Sequence, residues 1–495
     1  MHPKQPAGED AVAPWRPASL AETHTAVVLF LGERAYKLKK PVDLGFLNFT
    51  TREARYRACH DEVELNRRFS PDVYLGVADV SDEEGRLCDH LVVMRRMPTH
   101  RRLSRCLTEG EDVSGALWQV AHLLAAAHAA RPPDPAWDHV ASVREVRRNW
   151  DDSFEVLRPY GGRILPAESN ERLEHLVHRF LDGRGRLFDR RIAEGWVRDG
   201  HGDLQADDIF LLADGPRVLD CLEFDPRLRW ADVLCDAAFL AMDLDRLGRP
   251  DLGHDFLSWH RELTGDWWPW ALAHHYVAYR AHVRAKVSAL RWTQGDADAA
   301  DAAAGLLQLA LQHMEEARVR LVLVGGLPGT GKSTLAAALG ERLPVVVLRT
   351  DEVRDQLAPR TGEQPYGEGR YSPRQVAATY DELLAQARTL LEHGESVVLD
   401  ASWSSAAARA RAREVAAATS TDLVELRCEA PADVALGRLQ QRRAAGRDPS
   451  EATPDVARQM AARFDPWPEA RAVDTTQPRE ASVAAAMAAF AAVPS

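Results

Sequence analysis

A glycine-rich octapeptide constrains the fold of this chain more than any other segment. Residues 326–333 read Gly-Leu-Pro-Gly-Thr-Gly-Lys-Ser, directly after the apolar run Leu321–Val324 and at the start of an alanine-rich stretch. This order predicts a strand, a tight loop whose backbone amides surround an oxyanion, and a helix whose positive N-terminus faces the same site. Apolar runs and helical patterns alternate from there onward, which predicts an α/β domain with a parallel sheet in a three-layer αβα arrangement.

The residue types in this loop suit the tail of a nucleoside triphosphate. Lys332 would neutralise the β- and γ-phosphates during catalysis, and the Ser333 hydroxyl would be a ligand of Mg²⁺. We therefore predict ATP and Mg²⁺ as the cofactors of this loop. The predicted nucleotide-binding residues are Gly326, Pro328, Gly329, Thr330, Gly331, Lys332, Ser333 and Thr334.

Charged residues after the later strands narrow the chemistry. Asp351 is a candidate base for an acceptor hydroxyl and, with Arg354, a candidate substrate contact; an N-cap role for Asp351 is the alternative. Asp400 follows an apolar run and is predicted to hold Mg²⁺ through water, unless it is a solvated loop residue. Arg438 and Arg442 are predicted to close over the transferring phosphate from one helix, and a solvated basic face is the alternative.

From about residue 318 onward, these residues make the chain resemble small-molecule P-loop kinases of the gluconate kinase, shikimate kinase and zeta-toxin type. The resemblance is specific at the loop around Lys332 and weaker at Asp351, Arg354 and Arg438. It implies phosphoryl transfer to a small acceptor rather than the work of a motor ATPase.

A second constellation of acidic residues precedes this region. Asp203 stands in the sequence His-Gly-Asp-Leu, Asp208 follows five positions later, and Asp220 ends the run Val-Leu-Asp. Kinase-like catalysis needs an aspartate that orients the acceptor hydroxyl, a metal ligand five residues on and a second metal aspartate after the next strand. The order predicts Asp203 as a catalytic base and Asp208 and Asp220 as metal ligands.

Roughly residues 20–315 resemble aminoglycoside phosphotransferases and the related choline and homoserine kinases, which implies a bilobal, protein-kinase-like α+β domain. Lys37 resembles their phosphate-binding lysine and Glu62 its glutamate partner; Lys39 faces the same side of the strand and stays an alternative. The sequence departs from the family at residue 208, where the pattern has Asn. It also lacks a GxGxxG loop, in whose place we expect the segment Glu22–Thr25 to serve.

Composition limits the partners. The net charge of −12 disfavours a nucleic-acid surface, and no segment approaches the length of roughly 20 apolar residues that spans a membrane. Residues 1–17 lack the apolar core of a signal peptide, so we expect a cytoplasmic protein. The predicted domains are a flexible tail over 1–19, a kinase-like domain over 20–317 and a P-loop domain over 318–495.

As a whole, the chain is similar to bacterial proteins that fuse an aminoglycoside-phosphotransferase-like domain to an AAA-family, ATP-binding P-loop domain. The sequence therefore predicts an ATP- and Mg²⁺-dependent phosphotransferase with two nucleotide-binding domains, which transfers the γ-phosphoryl group to a hydroxyl of a small molecule. In the alternative, one domain is catalytically silent and regulatory, and the P-loop domain is an ATPase switch for a protein partner. The acceptor and the oligomeric state stay open.

Overall fold

The structure is a computed structural model that describes residues 18–23, 25–43, 47–358, 369–445 and 454–491, without the side chains of 442–445, 454 and 491. Its contacts divide the chain into two compact units. The first unit comprises Met1–Val140 with Gly195–Asp266, and the second comprises Ala141–Glu194 with Trp267–Ser495.

The strands of the first unit are β1 Ser19–Glu22, β2 Ala26–Leu31, β3 Arg34–Lys39, β4 Tyr74–Ser81, β5 Leu87–Arg95, β6 Val197–Asp199, β7 Ile209–Leu212, β8 Gly215–Val218 and β9 Trp230–Asp232. Those of the second unit are β10 Arg320–Gly325, β11 Val345–Arg349, β12 Ser396–Asp400, β13 Asp422–Glu429 and β14 Arg471–Asp474.

The α-helices are, in chain order, α1 Arg52–Asn66, α2 Leu103–Thr108, α3 Ser114–Ala129, α4 Val143–Leu157, α5 Ala167–Gly183, α6 Gly185–Ala193, α7 Pro226–Arg229, α8 Val233–Arg246, α9 Pro250–Thr264, α10 Trp270–Thr293, α11 Ala299–Glu316, α12 Lys332–Arg342, α13 Thr350–Leu357, α14 Pro373–Glu392, α15 Ala406–Ala418, α16 Ala432–Ala445, α17 Pro454–Ala461 and α18 Arg479–Ala491. Short 3-10 turns lie at Thr99–Arg101, Pro135–Ala141, Arg158–Tyr160, Ala206–Asp208 and Gly369–Tyr371.

A parallel sheet forms the centre of the second unit. Its strand order is β11-β12-β10-β13-β14, so the strand that precedes the glycine-rich loop lies in the middle. Leu321 and Leu323 pack with α14 and α15 on one face, whereas Val322 and Val324 pack with α12 and α18 on the other. Successive side chains of a strand point to opposite faces, and here both faces are apolar because helices cover both. The predicted parallel sheet with its helices is confirmed.

An antiparallel sheet forms the core of the first unit. Its strand order is β1-β2-β3-β5-β4, and a register shift between Tyr74 and Gly76 interrupts the β4–β5 ladder. Helix α1 begins after Thr51, whose hydroxyl accepts a hydrogen bond from the Ala54 amide at 3.2 Å. The helix packs its Cys59 and Val63 against this sheet. The β3 residues Lys37 and Lys39 therefore lie close to α1.

The predicted boundaries relate to this architecture in two ways. Ser19, which the prediction assigned to the tail, is the first residue of β1, and residues 1–17 lie outside the described residues. Helices α10 and α11, predicted to belong to the kinase-like domain, are grouped by their contacts with the P-loop sheet. The boundary near residue 318 stays a prediction. Within the ranges described, no helix combines the length and the apolar character needed to cross a membrane.

Candidate functional site

The glycine-rich loop joins β10 to α12 in a conformation that only glycine adopts readily. Gly326, Gly329 and Gly331 have φ angles of 138°, 85° and 85°. A Cβ atom at Gly326 would lie 2.7 Å from the carbonyl oxygen of Cys428, and one at Gly329 would lie 2.3 Å from that of Ala435. The predicted loop therefore forms for local conformational reasons, and its neighbours pack too closely to accept a side chain.

A chain of hydrogen bonds holds this loop from outside. The Thr330 hydroxyl donates to the Leu327 carbonyl at 2.8 Å, and the Thr475 hydroxyl donates to the Thr330 carbonyl at 2.6 Å. Arg438 of α16 donates to Thr475 twice, to its hydroxyl at 3.2 Å and to its carbonyl at 2.7 Å. Arg438 thus lies beside the loop, and its closing over a phosphate stays a prediction. The side chain of Arg442 lies outside the described residues.

Two cavities meet at Lys332. The Arg438 cavity has a volume of about 500 Å³ and is lined by Gly329, Gly331, Lys332, Ser333, Thr334, Arg438, Gln441, Thr475 and Gln477, among others. The Asp351 cavity has a volume of about 440 Å³ and is lined by Pro328, Lys332, Thr350, Asp351, Arg354, Tyr371, Tyr380, Ser402 and Arg411, among others. Lys332 lines both cavities. Of the predicted nucleotide residues, Gly329, Gly331, Ser333 and Thr334 line the Arg438 cavity, Pro328 lines the Asp351 cavity, and Gly326 and Thr330 line a third cavity.

Asp400 is buried at the carboxyl end of β12, beside Val324 of the central strand. Its Oδ2 accepts a hydrogen bond from the Arg349 Nε at 3.2 Å, whereas its Oδ1 is buried and has no hydrogen-bond partner among the described residues. A buried carboxylate oxygen without a donor is costly unless a cation or water satisfies it. Oxygen ligands of this kind, with the hydroxyl of Ser333, fit Mg²⁺. The alternative of a solvated loop aspartate at position 400 is wrong.

Asp351 and Arg354 form an ion pair inside the Asp351 cavity. The Arg354 Nη1 donates to the Asp351 Oδ1 at 2.5 Å, and the guanidinium carbon lies 4.9 Å from the centroid of the Tyr371 ring. Both charged residues are on α13, whose N-cap position is Arg349. The N-cap alternative for Asp351 is therefore wrong, and its carboxylate lines the cavity instead.

A second cluster of charges lies in the first unit, where two lysines converge on one glutamate. The Lys37 Nζ is 2.8 Å from the Glu62 Oε1 and 2.8 Å from the Asp220 Oδ1. The Lys39 Nζ is 2.6 Å from the Glu62 Oε2 and also pairs with Glu223. Burial opposes the charge of Lys37, but Asp220 and Glu62 outweigh it and raise its pKa well above the usual value. Both lysines contact Glu62, but Lys37 contacts Asp220 as well.

Asp208 lies close enough to both Asp220 and Asp203 to interact with each of them electrostatically. Burial, together with the charges of Asp220 and Asp203, raises the pKa of Asp208 well above the usual carboxyl value. Asp220 itself has a positive φ of 61°, which is strained for a residue other than glycine, and its amide donates to the Tyr74 hydroxyl at 3.1 Å. Asp220 therefore links the lysine pair to Asp208.

In the segment Glu22–Thr25, predicted to replace a glycine-rich loop, Glu22 is the last residue of β1 and Thr25 directly precedes β2. The Ala26 amide donates to the Thr23 hydroxyl at 3.0 Å, and Lys40 donates to the Thr23 carbonyl at 2.6 Å. Lys40 also pairs with Glu22 at 2.5 Å. His24 lies outside the described residues.

Comparison with known proteins places the chain in a family. Residues 321–467 match the model of a family described as an AAA domain. Over 466 residues the chain is 46% identical to "Uncharacterized protein Rv2004c" of Mycobacterium tuberculosis (strain ATCC 25618 / H37Rv), and the match covers 93% of each protein. The chain belongs to the family of this mycobacterial protein.

Solved structures are similar to parts of the chain. A gluconokinase from Sinorhizobium meliloti 1021 is 19% identical, with coverage of 35% of this chain and 91% of that chain and a TM-score of 0.25. The Mycobacterium tuberculosis APS kinase CysC, in complex with AMPPNP and APS, is 22% identical, with coverage of 35% and 99% and a TM-score of 0.28.

Reasoning from the sequence missed the residue of the first unit that holds the His-Gly-Asp loop. Asp236 of α8 is buried, and its Oδ2 accepts hydrogen bonds from the His201 amide at 2.8 Å and the His128 Nε2 at 3.0 Å. Its Oδ1 accepts a bond from the Gly202 amide at 2.8 Å. Burial opposes ionisation, yet the His128 bond and the charges around it hold the pKa of Asp236 below its usual value. The available signal was an acidic residue in the first turn of a largely apolar helix.

Proposed function

We propose that the second unit is an ATP- and Mg²⁺-dependent phosphotransferase that transfers the γ-phosphoryl group to a hydroxyl of a small molecule. The observation that carries the proposal is that Lys332 lines both the Arg438 cavity and the Asp351 cavity. A single lysine at the junction of two spaces is placed to neutralise a phosphoryl group as it passes from a donor in one to an acceptor in the other.

The Arg438 cavity is the proposed nucleotide site. Loop amides and the N-terminus of α12 would bind the phosphates, as helix N-termini bind anions, and Lys332 would bind the terminal ones. Arg438 is already oriented by its two bonds to Thr475, so little side-chain entropy is lost when it contacts a phosphate. Catalysis in such a site rests on positioning and charge neutralisation rather than on covalent chemistry.

Ser333 and Asp400 are the residues that would hold Mg²⁺. The buried Oδ1 of Asp400, which has no hydrogen-bond partner in the described part of the chain, would accept a bond from a water of the metal, and the Ser333 hydroxyl would be a direct ligand. A magnesium ion bound there supplies charge neutralisation between the β- and γ-phosphates.

The Asp351 cavity is the proposed acceptor site. Its volume of about 440 Å³ is in the range that suits a small molecule. The Asp351 carboxylate would accept the hydroxyl proton, and Arg354 holds that carboxylate in place from one helical turn away. Arg354 and Arg411 also bring positive charge to this cavity, which suits an acceptor that carries an anionic group.

The test is a screen of hydroxyl compounds with ATP labelled at the γ-phosphate. We expect the wild type to form a labelled small product that Lys332→Ala does not form and that Asp351→Ala forms at least about 100-fold more slowly, in line with the value of a general base. ATP binding at the site of this unit, measured by calorimetry, should survive in Asp351→Ala and be lost in Lys332→Ala. Product formation that is unaffected by both substitutions would refute the proposal for this unit.

We infer for the first unit a second phosphotransferase site of the bilobal, kinase-like class, and the Lys37–Glu62–Asp220 chain of ion pairs favours it. Such a site needs a lysine that a glutamate orients toward the phosphates and an aspartate that binds their metal. Because Lys37 contacts Asp220 whereas Lys39 contacts Glu223, we assign Lys37 to the phosphates. Lys37→Met should then abolish labelling of an acceptor by this unit, and Lys39→Met should reduce it less.

Asp203→Ala and Asp351→Ala separate the remaining alternatives. Two products lost independently in the two variants would indicate two working kinases. Loss of all transfer in one variant, with the other without effect, would indicate that one unit is silent and regulatory. ATP hydrolysis that needs Lys332 but no acceptor and yields no phosphorylated small molecule would favour a switch acting on a protein partner.

A further inference from the structure

Two histidines and a glutamate converge where α10 meets the end of α11. His274 is on α10, and His313 and Glu316 are three residues apart in the last turn of α11. The His274 Nδ1 lies 2.9 Å from the His313 Nδ1 and 3.2 Å from the Glu316 Oε2, and the three side chains offer ligand atoms that all lie within 4.8 Å of one another. None of these residues takes part in the proposed phosphoryl transfer.

A shared hydrogen bond and a bound cation are two ways to hold these three side chains together. A neutral imidazole carries one N–H, so a single hydrogen at the His274 Nδ1 would have to serve both the His313 nitrogen and the Glu316 oxygen. If that nitrogen carries no hydrogen, its lone pair faces a carboxylate oxygen at 3.2 Å. A cation bound between the three atoms would instead be contacted by a lone pair from each.

The spacing of the atoms suits a transition metal. Two ligands that lie about 2.0–2.1 Å from a tetrahedral metal are about 3.3–3.4 Å from each other. The distances of 2.9 Å and 3.2 Å around the His274 Nδ1 depart from this spacing by only a few tenths of an ångström. Two imidazoles and one carboxylate are ligands that zinc takes commonly and that magnesium and calcium do not prefer.

We propose that His274, His313 and Glu316 form a zinc site in the second unit. The side chain of His274 is 24% exposed and that of Glu316 is 46% exposed, so the metal has a route from solvent and water can complete its coordination. The His313 side chain is buried and would bind the ion from the protein interior.

The zinc site lies close in sequence to the strand that precedes the glycine-rich loop. Helix α11 ends at Glu316, and the central strand β10 begins at Arg320. An ion bound by residues of both helices would tie α10 to the last turn of α11, immediately before that strand. Zinc bound there would join two helices, and its binding would need none of the residues that line the Arg438 and Asp351 cavities.

Metal binding is tested on the full chain produced without a polyhistidine tag. The protein is stripped with a chelator, dialysed against Zn²⁺ and analysed for zinc by atomic emission, and Co²⁺ is used as a spectroscopic probe of tetrahedral coordination. We expect about one zinc ion per chain in the wild type. We expect none in His274→Ala or His313→Ala, and an affinity about 100-fold lower in Glu316→Gln, the upper range seen when a metal site loses a supporting group.

His175→Ala is the matched control, because His175 is an exposed histidine on α5 of the same unit. It should keep the zinc, and zinc should raise the thermal unfolding midpoint of the wild type and this control but not of the two cluster variants. The Glu316→Gln variant changes an exposed carboxylate and keeps the test valid if a histidine variant fails to fold. A wild type without zinc, or equal zinc in all the proteins, would overturn the proposal.

Discussion

Replacing Asp236 by asparagine should destabilise the first unit through its hydrogen bonds alone. The carboxylate accepts three bonds from buried donors, with Oδ2 bound by His201 and His128 and Oδ1 by Gly202. Asparagine offers one oxygen and one NH₂ group, so in either orientation at least one buried donor faces another donor. The donor that faces another donor costs about 1–3 kcal/mol. Each of the two remaining hydrogen bonds weakens by about 1 kcal/mol because its acceptor is no longer charged. The free energy of unfolding should therefore fall by about 4 kcal/mol in all.

The effect is measured by thermal unfolding and by hydrogen exchange of peptides that contain residues 201 and 202. For a unit of this size, about 4 kcal/mol corresponds to a fall of roughly 8–16 °C in the unfolding midpoint. The two amides should exchange faster because they lose a charged acceptor. Asp255→Asn is the control, since Asp255 is an exposed aspartate of α9 in the same unit. A variant that melts within about 2 °C of the wild type, with unchanged exchange, would refute the reasoning.

The same residue predicts a pH dependence. The pKa of Asp236 is lowered in the folded state, so its contribution to stability is present above the unfolded pKa of about 3.9 and is lost as the pH falls toward the folded pKa. The wild type should therefore lose stability relative to Asp236→Asn when acid titrates this range. If the stabilities of the two proteins change equally with pH over this range, the assignment of the lowered pKa to Asp236 is contradicted.

Three further substitutions test the two sites. Gly329→Ala should weaken ATP binding, measured by calorimetry, at least about 10-fold, because its Cβ would lie 2.3 Å from the Ala435 carbonyl and its φ is 85°. The control is Gly437→Ala, which should leave the affinity unchanged because no atom lies within 4 Å of the added carbon. Arg438→Ala should slow phosphoryl transfer by about 100-fold in steady-state assays, and an unchanged rate would remove it from the site. Asp208→Asn should make the first unit more stable than the wild type at pH 8 but not at pH 4. The reason is that the raised pKa of the Asp208 carboxyl destabilises the folded state at pH values above the unfolded pKa of about 3.9. Equal thermal unfolding midpoints of the two proteins at both pH values would argue against it.

The sequence alone was sufficient wherever a structure depends on neighbouring residues. The glycine-rich loop follows from glycines that must adopt positive φ between a strand and a helix, and both faces of the parallel sheet follow from continuous apolar runs such as Leu321–Val324. These are local properties, and together with the alternation of strands and helices they were enough to predict the α/β fold of this region.

Only the tertiary structure decided which distant side chains meet. Asp236 reaches the His201 and Gly202 amides, and His274 reaches His313 on the next helix; no local pattern encodes either contact. The same holds for Lys332, whose motif indicates a phosphate but not that two cavities meet at its side chain. The physical reason is that such contacts depend on how helices and strands pack, and packing is set by the sum of many weak apolar interactions rather than by any one segment.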